Sequence, residues 1–558
     1  MTWSLGRQVR FAKKLRVRQL IGRPVFEMRW RISRQILHKS TVQKSAKNAV
    51  FRQPLQTRLP CDVVAAFTES QPVIAGDGTI WVLGEPVRFG QSLQEHSMLR
   101  RFHAHYWDWA WSFMHLPQEI GVARYQQLLR IWLEQHPITD EVAWHPYVVA
   151  SRSWSWIHQH SHFVSGSALE MQQISSLEIH RRLLRRSLER YLGGNHLIRD
   201  YKGLLALGVA LGKTNDVEQA ITGLQREVTR QILPDGGHFE RSPAYHAQVL
   251  GDLLDVRQIL SETDSTGDWR LFDEAIARMT NFLSAMRSPD GGVPLFNDGF
   301  PVSRAYLSFL TRSEGRGESD VFPDSGFARL AKGDWTAFVD LGTPPKGAPG
   351  HSHAGLLGCW IFNKDTLVVS EAGTSTYDVG DVRNYERSTR AHSTLSVDGE
   401  DSLEVWGSFR AGRAPRSICF ECSFDAAADG ANTVSASHDG FRFLPGRPRH
   451  DRRIEVSGDF VNVFDSVTGL SEDSVADVAW HLSGDVIAAG VDYLSLNIGV
   501  RVEISGGTSW SIHREHRAVA FERREERKVL RIRLASDSTE VRTTFTQLIP
   551  KRRGEQSL

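Results

Sequence analysis

Cysteine is scarce in this sequence: four residues, Cys61, Cys359, Cys419 and Cys422, in a chain of 558. So few thiols cannot frame a disulfide-stapled fold, and the chain has to rely on apolar cores. Cys419 and Cys422 have zinc-knuckle spacing, but no second pair accompanies them. In a strand, residues three apart face opposite sides, so that spacing reads as chance. Long apolar runs are also missing. No window reaches the ~18 uncharged apolar residues of a spanning helix. The opening MTWSLGRQVRFAKKLRVRQL lacks the unbroken apolar core of an export signal. These absences lead us to expect a cytoplasmic, soluble protein, with a periplasmic or membrane-peripheral location as the alternative. The net charge is only +2, which gives no global case for a nucleic-acid partner. There is neither a fixed-period repeat nor a low-complexity tract. Acid is nearly absent from residues 1–50, where thirteen Lys or Arg stand against Glu27 alone. Basic residues interleaved with Leu, Val, Phe and Trp read either as a solvated helix packed on the main body or as a peripheral contact with an anionic membrane.

What is present is the composition of a folded protein, 41% hydrophobic and 24% charged. The length suggests roughly two to four domains. Two styles of sequence meet near residue 335. Before it, stretches such as ARYQQLLRIWLEQH, LIRDYKGLLALGVALG and FDEAIARMTNFLSAM carry apolar residues at helical spacing. They are broken at YLGGNH, LPDGGH and SPDGGVP, which predicts a helical array or toroid. Beyond it the period becomes two. TAFVDLG, DTLVVSEAG, RRIEVSGDFVNVFDSV and VLRIRLAS predict short strands of an antiparallel sandwich. The expected organisation is a basic extension (1–60), a helical domain (61–334) and a β-sandwich (335–558), an α+β multidomain chain.

Four clusters could carry chemistry. Asn195 and His196 open a helix after a Gly-Gly turn, where an amide and an imidazole either meet an anionic ligand group or merely cap the helix. DGGHFERSPAYH brings Glu240, Arg241, Tyr245 and His246 to another helix start. A tyrosine there acts as a base only if nearby cations depress its pKa from about 10. GHSHAG places His351 and His353 two apart, which in an extended strand is one face. Three readings stay open for that pair: a metal pair, a catalyst beside a ligand, or two hydrogen-bonded core histidines. With Glu371 and His392 they have the composition of a three-ligand zinc site. Last, Arg383, Tyr385, Arg387 and Arg390 crowd RNYERSTRAHS, as carboxylate-recognising groups or as a solvated strand edge. The tryptophans of YWDWAW, Trp144, Trp154 and Trp156 are core residues or sugar-stacking platforms.

Several segments together carry a resemblance. They are W-H-P-Y-x-V-x-x-R-x-x-x-W (Trp144 to Trp156), GNH (194–196), DGGHFERSPAYH, FPDSGFARL, GHSHAG, EAGTSTYD and RNYERSTRAHSTLSVDGEDSLEVWGSFRAGRAP. In this order they resemble the heparinase II/III-like polysaccharide lyases over roughly residues 90–490. The resemblance implies an incomplete (α/α) toroid followed by an antiparallel β-sandwich. It also implies β-elimination on an anionic, uronic-acid-containing glycan, with His196, Tyr245, His351 and Tyr385 as candidate catalytic residues. Asn195, Glu240, Arg241, His246, Arg383, Arg387 and Arg390 would bind substrate. His353, Glu371 and His392 would hold one structural Zn2+, with no organic cofactor. Members without an export signal look like components of capsule or exopolysaccharide pathways. Two positions depart from the family pattern: Gly355 replaces the usual Asp of HxHAD, and E-A-G-T replaces D-P-G-T. The competing functions are a non-catalytic glycan-binding or polysaccharide-assembly protein and a glycoside hydrolase. The hydrolase would need a second acid roughly 5–10 Å from Glu240.

Overall fold

A computed structural model of the chain describes residues 5–15, 17–39, 50–52, 79–88, 93–263, 267–311, 319–345, 349–416, 418–425, 427 and 430–548. The expected 60/61 boundary and Cys61 lie outside them. The basic segment contributes two helices, Leu5–Lys14 and Val17–Lys39. After a small hairpin, Thr79–Val82 with Glu85–Arg88, the helical half begins. Its main helices are Gln118–Gln135, Pro146–Phe163, Glu170–Arg186, Gly194–Ala210, Thr214–Gln231, Pro243–Thr263 and Arg270–Met286. They form the incomplete (α/α) toroid around one apolar core.

The tryptophan-rich motif builds that core. Trp107, Trp132 and Trp156 are fully buried, and the guanidinium of buried Arg152 lies 4.2 Å over the Trp132 ring. Arg152 also donates to the Ala143 carbonyl at 2.8 Å, so the arginine of this block is a packing element. Gly203 lets two helices approach closely, because a Cβ there would stand 2.7 Å from the Ala150 Cα.

The sandwich is antiparallel throughout. One sheet runs Ile418–Ser423, Asn432–His438, Arg449–Val456, Phe460–Thr468, Glu540–Gln547, Val500–Gly506, Tyr493–Leu496, Val486–Ala489. The other runs Ser509–Ala520, Arg523–Leu534, Ala476–Leu482, Thr366–Ser370, Cys359–Asn363, Trp335–Asp340, Phe327–Lys332, Asp320–Phe322. Alternating apolar residues of both inner faces meet in a shared core, with Trp480 donating across it to Thr543 at 3.1 Å. Cys419 and Cys422 lie on one strand with different exposures and do not converge.

The sheet starts earlier than periodicity suggested. Phe327–Lys332 pairs with Trp335–Asp340, so the expected 334/335 boundary falls inside a hairpin. A turn at Asp334 resembles a linker in sequence, whereas the true seam is an aromatic layer. Phe282 and Met286 of the last long helix pack there against Phe322, Phe327, Phe338 and Trp360 of the sheet.

Candidate active site

The loop Asn297–Asp298 organises the contact between the two halves. Asn297 holds a positive φ of 57°, and its side chain bridges the halves. It donates to the Arg241 carbonyl at 2.7 Å and accepts from the His353 amide at 3.1 Å. Asp298 is fully buried. His351 Nδ1 meets Asp298 Oδ2 at 2.9 Å, His353 Nε2 meets Oδ1 at 2.8 Å, and Arg383 donates to both oxygens. Burial alone would raise this carboxyl. Arg383 and the two histidines overcome burial and hold it well below the usual carboxylate range.

GHSHAG is not the extended strand its pattern suggested. Pro349–His351 is a 3₁₀ turn, and the strand begins only at Cys359. The two histidines therefore diverge while sharing Asp298. The His351 ring lies 4.3 Å from the Tyr245 ring, and His353 turns inward to His392. Tyr245 comes from the toroid helix Pro243–Thr263, and its hydroxyl hydrogen-bonds Tyr377 Oη at 2.7 Å. Burial pushes the Tyr245 phenol well above its usual value, with Tyr377 and Asp298 adding to the rise. Phe300, Phe409 and Phe521 complete an aromatic collar around the two tyrosines.

On the toroid side, Gly193 and Gly194 take positive φ values of 72° and 60° and deliver Asn195 and His196 at a helix start. A Cβ on Gly194 would overlap Glu240 Oε1. His196 Nδ1 meets buried Glu189 Oε2 at 3.2 Å, and its ring packs 4.3 Å from Tyr147. Burial lowers the His196 pKa, but Glu189 more than offsets it and the net shift is upward. Glu240 is buried with Oε2 lacking a hydrogen bond, 3.7 Å from His238 Nδ1, and burial raises its pKa. His351 and His196 are both within electrostatic reach and offset part of that rise.

Six residues expected to touch substrate have partners within the chain. Arg241 donates to the Ser325 and Gly342 carbonyls at 2.8 Å and pairs with Asp340, which pins the toroid to the sheet. His246 is buried against the Met279 carbonyl at 2.9 Å. Arg383 is fully buried on Asp298 and the Ser408 carbonyl. Arg387 is equally buried and holds the carbonyls of Ser352 and Gly407. Arg390 pairs with Glu515 at 2.8 Å, and Tyr385 donates to the same carboxylate at 2.6 Å. The helix Asp381–Arg387 turns Arg383 and Arg387 into the protein, whereas Arg390, in the turn that follows, stays exposed beside Glu515. The tyrosine that reaches Tyr245 is Tyr377, not Tyr385.

The expected zinc ligands are only partly gathered. His353 Nε2 faces Asp298 and His392 Nδ1 faces the Ser388 carbonyl at 2.7 Å, so each of these atoms carries the proton of a neutral ring. Burial drives both pKa values down, to about 4 for His353 and about 3 for His392, which keeps both rings neutral. Their remaining lone pairs then point at each other across 3.2 Å. Glu371 Oε2 stands 4.0 Å from His392, and Glu371 Oε1 is buried without a partner. Burial, with Asp340 adding to it, raises the Glu371 pKa well above the carboxylate range, so converging lone pairs beside this carboxyl fit a cation in donor chemistry only with loss of its proton. Gly355 is required here, because a Cβ would overlap the His392 ring. Among the described residues, the group whose donor atoms all lie within 4.8 Å of one another is a different one, His105, His136 and Asp140 in the toroid.

Sequence reasoning missed Glu189, Asp298 and Tyr377. Glu189 sits in what reads as a helix, but the helix ends at Arg186 and frees it to turn toward His196. Asp298 reads as a turn residue in FNDGF. Tyr377 lay within a quoted motif, and nothing local set it apart from Tyr385.

A toroid, a sandwich and a polar cluster to which both halves supply side chains define the class of scaffold. The family models for the heparinase II/III N-terminus and the heparinase II/III-like C-terminal region match residues 76–328 and 314–554. The chain belongs to the heparinase II/III-like family. It is 24% identical over 317 residues to a heparin-sulfate lyase of Pedobacter heparinus, covering 49% of this chain and 47% of that protein. It is 26% identical over 285 residues to FtsZ-localized protein C of Caulobacter vibrioides, with the same coverage. The chain thus spans about half the length of these curated relatives. A crystal structure of heparinase III superposes with a TM-score of 0.70 at 14% identity, covering 90% of this chain and 88% of that one, a likeness of fold.

Proposed function

We propose that this chain is a polysaccharide lyase that cleaves a uronic-acid-containing glycan by β-elimination. The observation that carries the reading is the meeting of Tyr245 and Asp298, from the helical half, with His351, from the turn between the sandwich strands Trp335–Asp340 and Cys359–Asn363. Asp298 accepts from His351 Nδ1, which leaves Nε2 as the lone pair that takes the C5 proton. The electron pair left at C5 forms the C4–C5 double bond as the C4–O bond breaks. Tyr245, kept protonated by its raised pKa, gives its proton to the departing oxygen. No water is consumed. The substrate carboxylate must be neutralised for C5 to lose a proton. Asn195 and His196, whose upward-shifted pKa favours the cation, stand at a helix start suited to it. A zinc ion held by His353 and His392, with Glu371, would tie together the segments that carry them and would take no part in these steps.

The test is a panel of uronate polymers, capsular and extracellular polysaccharides included, followed by ultraviolet absorbance of the unsaturated product. Tyr245→Phe and His351→Ala should each lose about 10²–10⁴-fold in rate. New reducing ends without absorbance would replace the lyase with a hydrolase. A second reading, a glycan-binding or assembly protein without catalysis, draws on the likeness to FtsZ-localized protein C, whose name records a location and not a reaction. Saturable polymer binding with no product would favour it.

A further inference from the structure

The helix Val17–Lys39 has two apolar faces, and the body of the protein covers one. Phe26, Ser33, Arg34 and Leu37 are buried against the toroid. The Phe26 ring lies 4.9 Å from Tyr191, Trp30 donates to the Trp144 carbonyl at 3.2 Å, and Arg34 donates to the Ile138 carbonyl at 2.8 Å. The opposite face carries Ile21, Val25, Met28, Ile32 and Ile36, which are 41–64% exposed. At 100° per residue these five stand within an arc of about 80°, and they run for about 22 Å along the helix. Exposed Arg29 and Arg31 border the stripe on its two sides. Glu27, the single acid among residues 1–50, is paired with Arg23 at 3.0 Å.

An apolar ridge this long is unusual on a solvated surface. Its convex shape and its two guanidinium borders suit an anionic bilayer, where apolar side chains enter the headgroup–acyl boundary and cations meet lipid phosphates. We propose that the Ile21–Ile36 face of this helix docks the protein on an anionic lipid surface, lying in its plane without crossing it. No helix among the described residues is long and apolar enough to cross a membrane. The packed face fixes the helix to the toroid, so docking would orient the whole molecule. This inference stands independently of the lyase reading.

The experiment is flotation of the full chain with vesicles of phosphatidylethanolamine and phosphatidylglycerol, against vesicles of phosphatidylcholine, over a salt series. Binding to the anionic vesicles, weakened by salt, is expected. Arg29→Ala and Arg31→Ala should each weaken partitioning about fivefold at low salt. The double variant Met28→Glu/Ile32→Glu should float no better than on phosphatidylcholine while keeping the parent melting temperature. Failure to bind, equal binding to both lipids, or undiminished binding by the double variant would overturn the proposal. So would a parent dimer that the double variant splits, which gives the stripe to a second copy. A melting temperature lowered by the double variant would mean that the chain covers the stripe itself, and would overturn it too.

Discussion

Asp298 sets the properties of its neighbours at the scale of single residues. It accepts from Arg383, His351 and His353, and each of these would lose its counter-charge or its tautomer without it. Asp298→Asn leaves the fully buried Arg383 guanidinium unneutralised, and removing one member of such a pair costs about 3–5 kcal/mol. Denaturant titration should read a loss of that size, and an unchanged midpoint would remove Asp298 from this role. Glu189 acts similarly on His196. The folded His196 pKa lies above its 6.5 reference, so its contribution to stability is full below that pH and fades as pH rises through the folded value. In Glu189→Gln the upward pull is gone and burial dominates, so the midpoint should fall below that of the parent. The chemical shift of the ring C2 proton reports this directly, and an unmoved midpoint would detach Glu189 from His196.

Packing between elements decides whether such pairs form. The helices Pro146–Phe163 and Gly194–Ala210 close on one another at Gly203 and Ala150, which sets Tyr147 against His196. Alanine normally stabilises a helix over glycine by about 1 kcal/mol. At Gly203 the added methyl meets backbone, so the sign reverses and Gly203→Ala should cost about 1–3 kcal/mol. Thermal melts beside substrate KM would show both effects, and a more stable Gly203→Ala variant would contradict the close approach. The same scale explains where local reading fails. Helix and strand periods identified most elements, because burial on one face imposes them. GHSHAG and RNYERSTRAHS carry no period. The first becomes a 3₁₀ turn and the second a short helix, because their backbones are sewn to partners far away. The Ala354 amide donates to the Arg387 carbonyl at 2.9 Å, and Arg387 in turn holds the Ser352 carbonyl.

At the scale of the whole molecule, the contact of Tyr245 with His351 exists only while the toroid and the sandwich stay fixed. Arg241 crosses that seam to buried Asp340, whose pKa is raised by burial despite the arginine. Arg241→Met removes the pin and should split one calorimetric transition into two; a single unshifted transition would assign the coupling to the aromatic seam alone. The sequence by itself determined the two architectures, their order, and the presence of Asn195, His196, Tyr245 and His351 near turns and helix starts. Those features follow from local periodicity, from glycine turns and from the motif resemblance. It also exposed the basic N-terminal segment, since charge asymmetry is visible without coordinates. Only the tertiary structure decided which polar groups gather around Tyr245 and His351. Arg241, Arg383, Arg387 and Arg390 have the composition of a carboxylate-binding cluster, yet each is held by a carboxylate or carbonyl of this chain. A guanidinium goes to whichever acceptor burial brings near, and sequence spacing does not say which one that is.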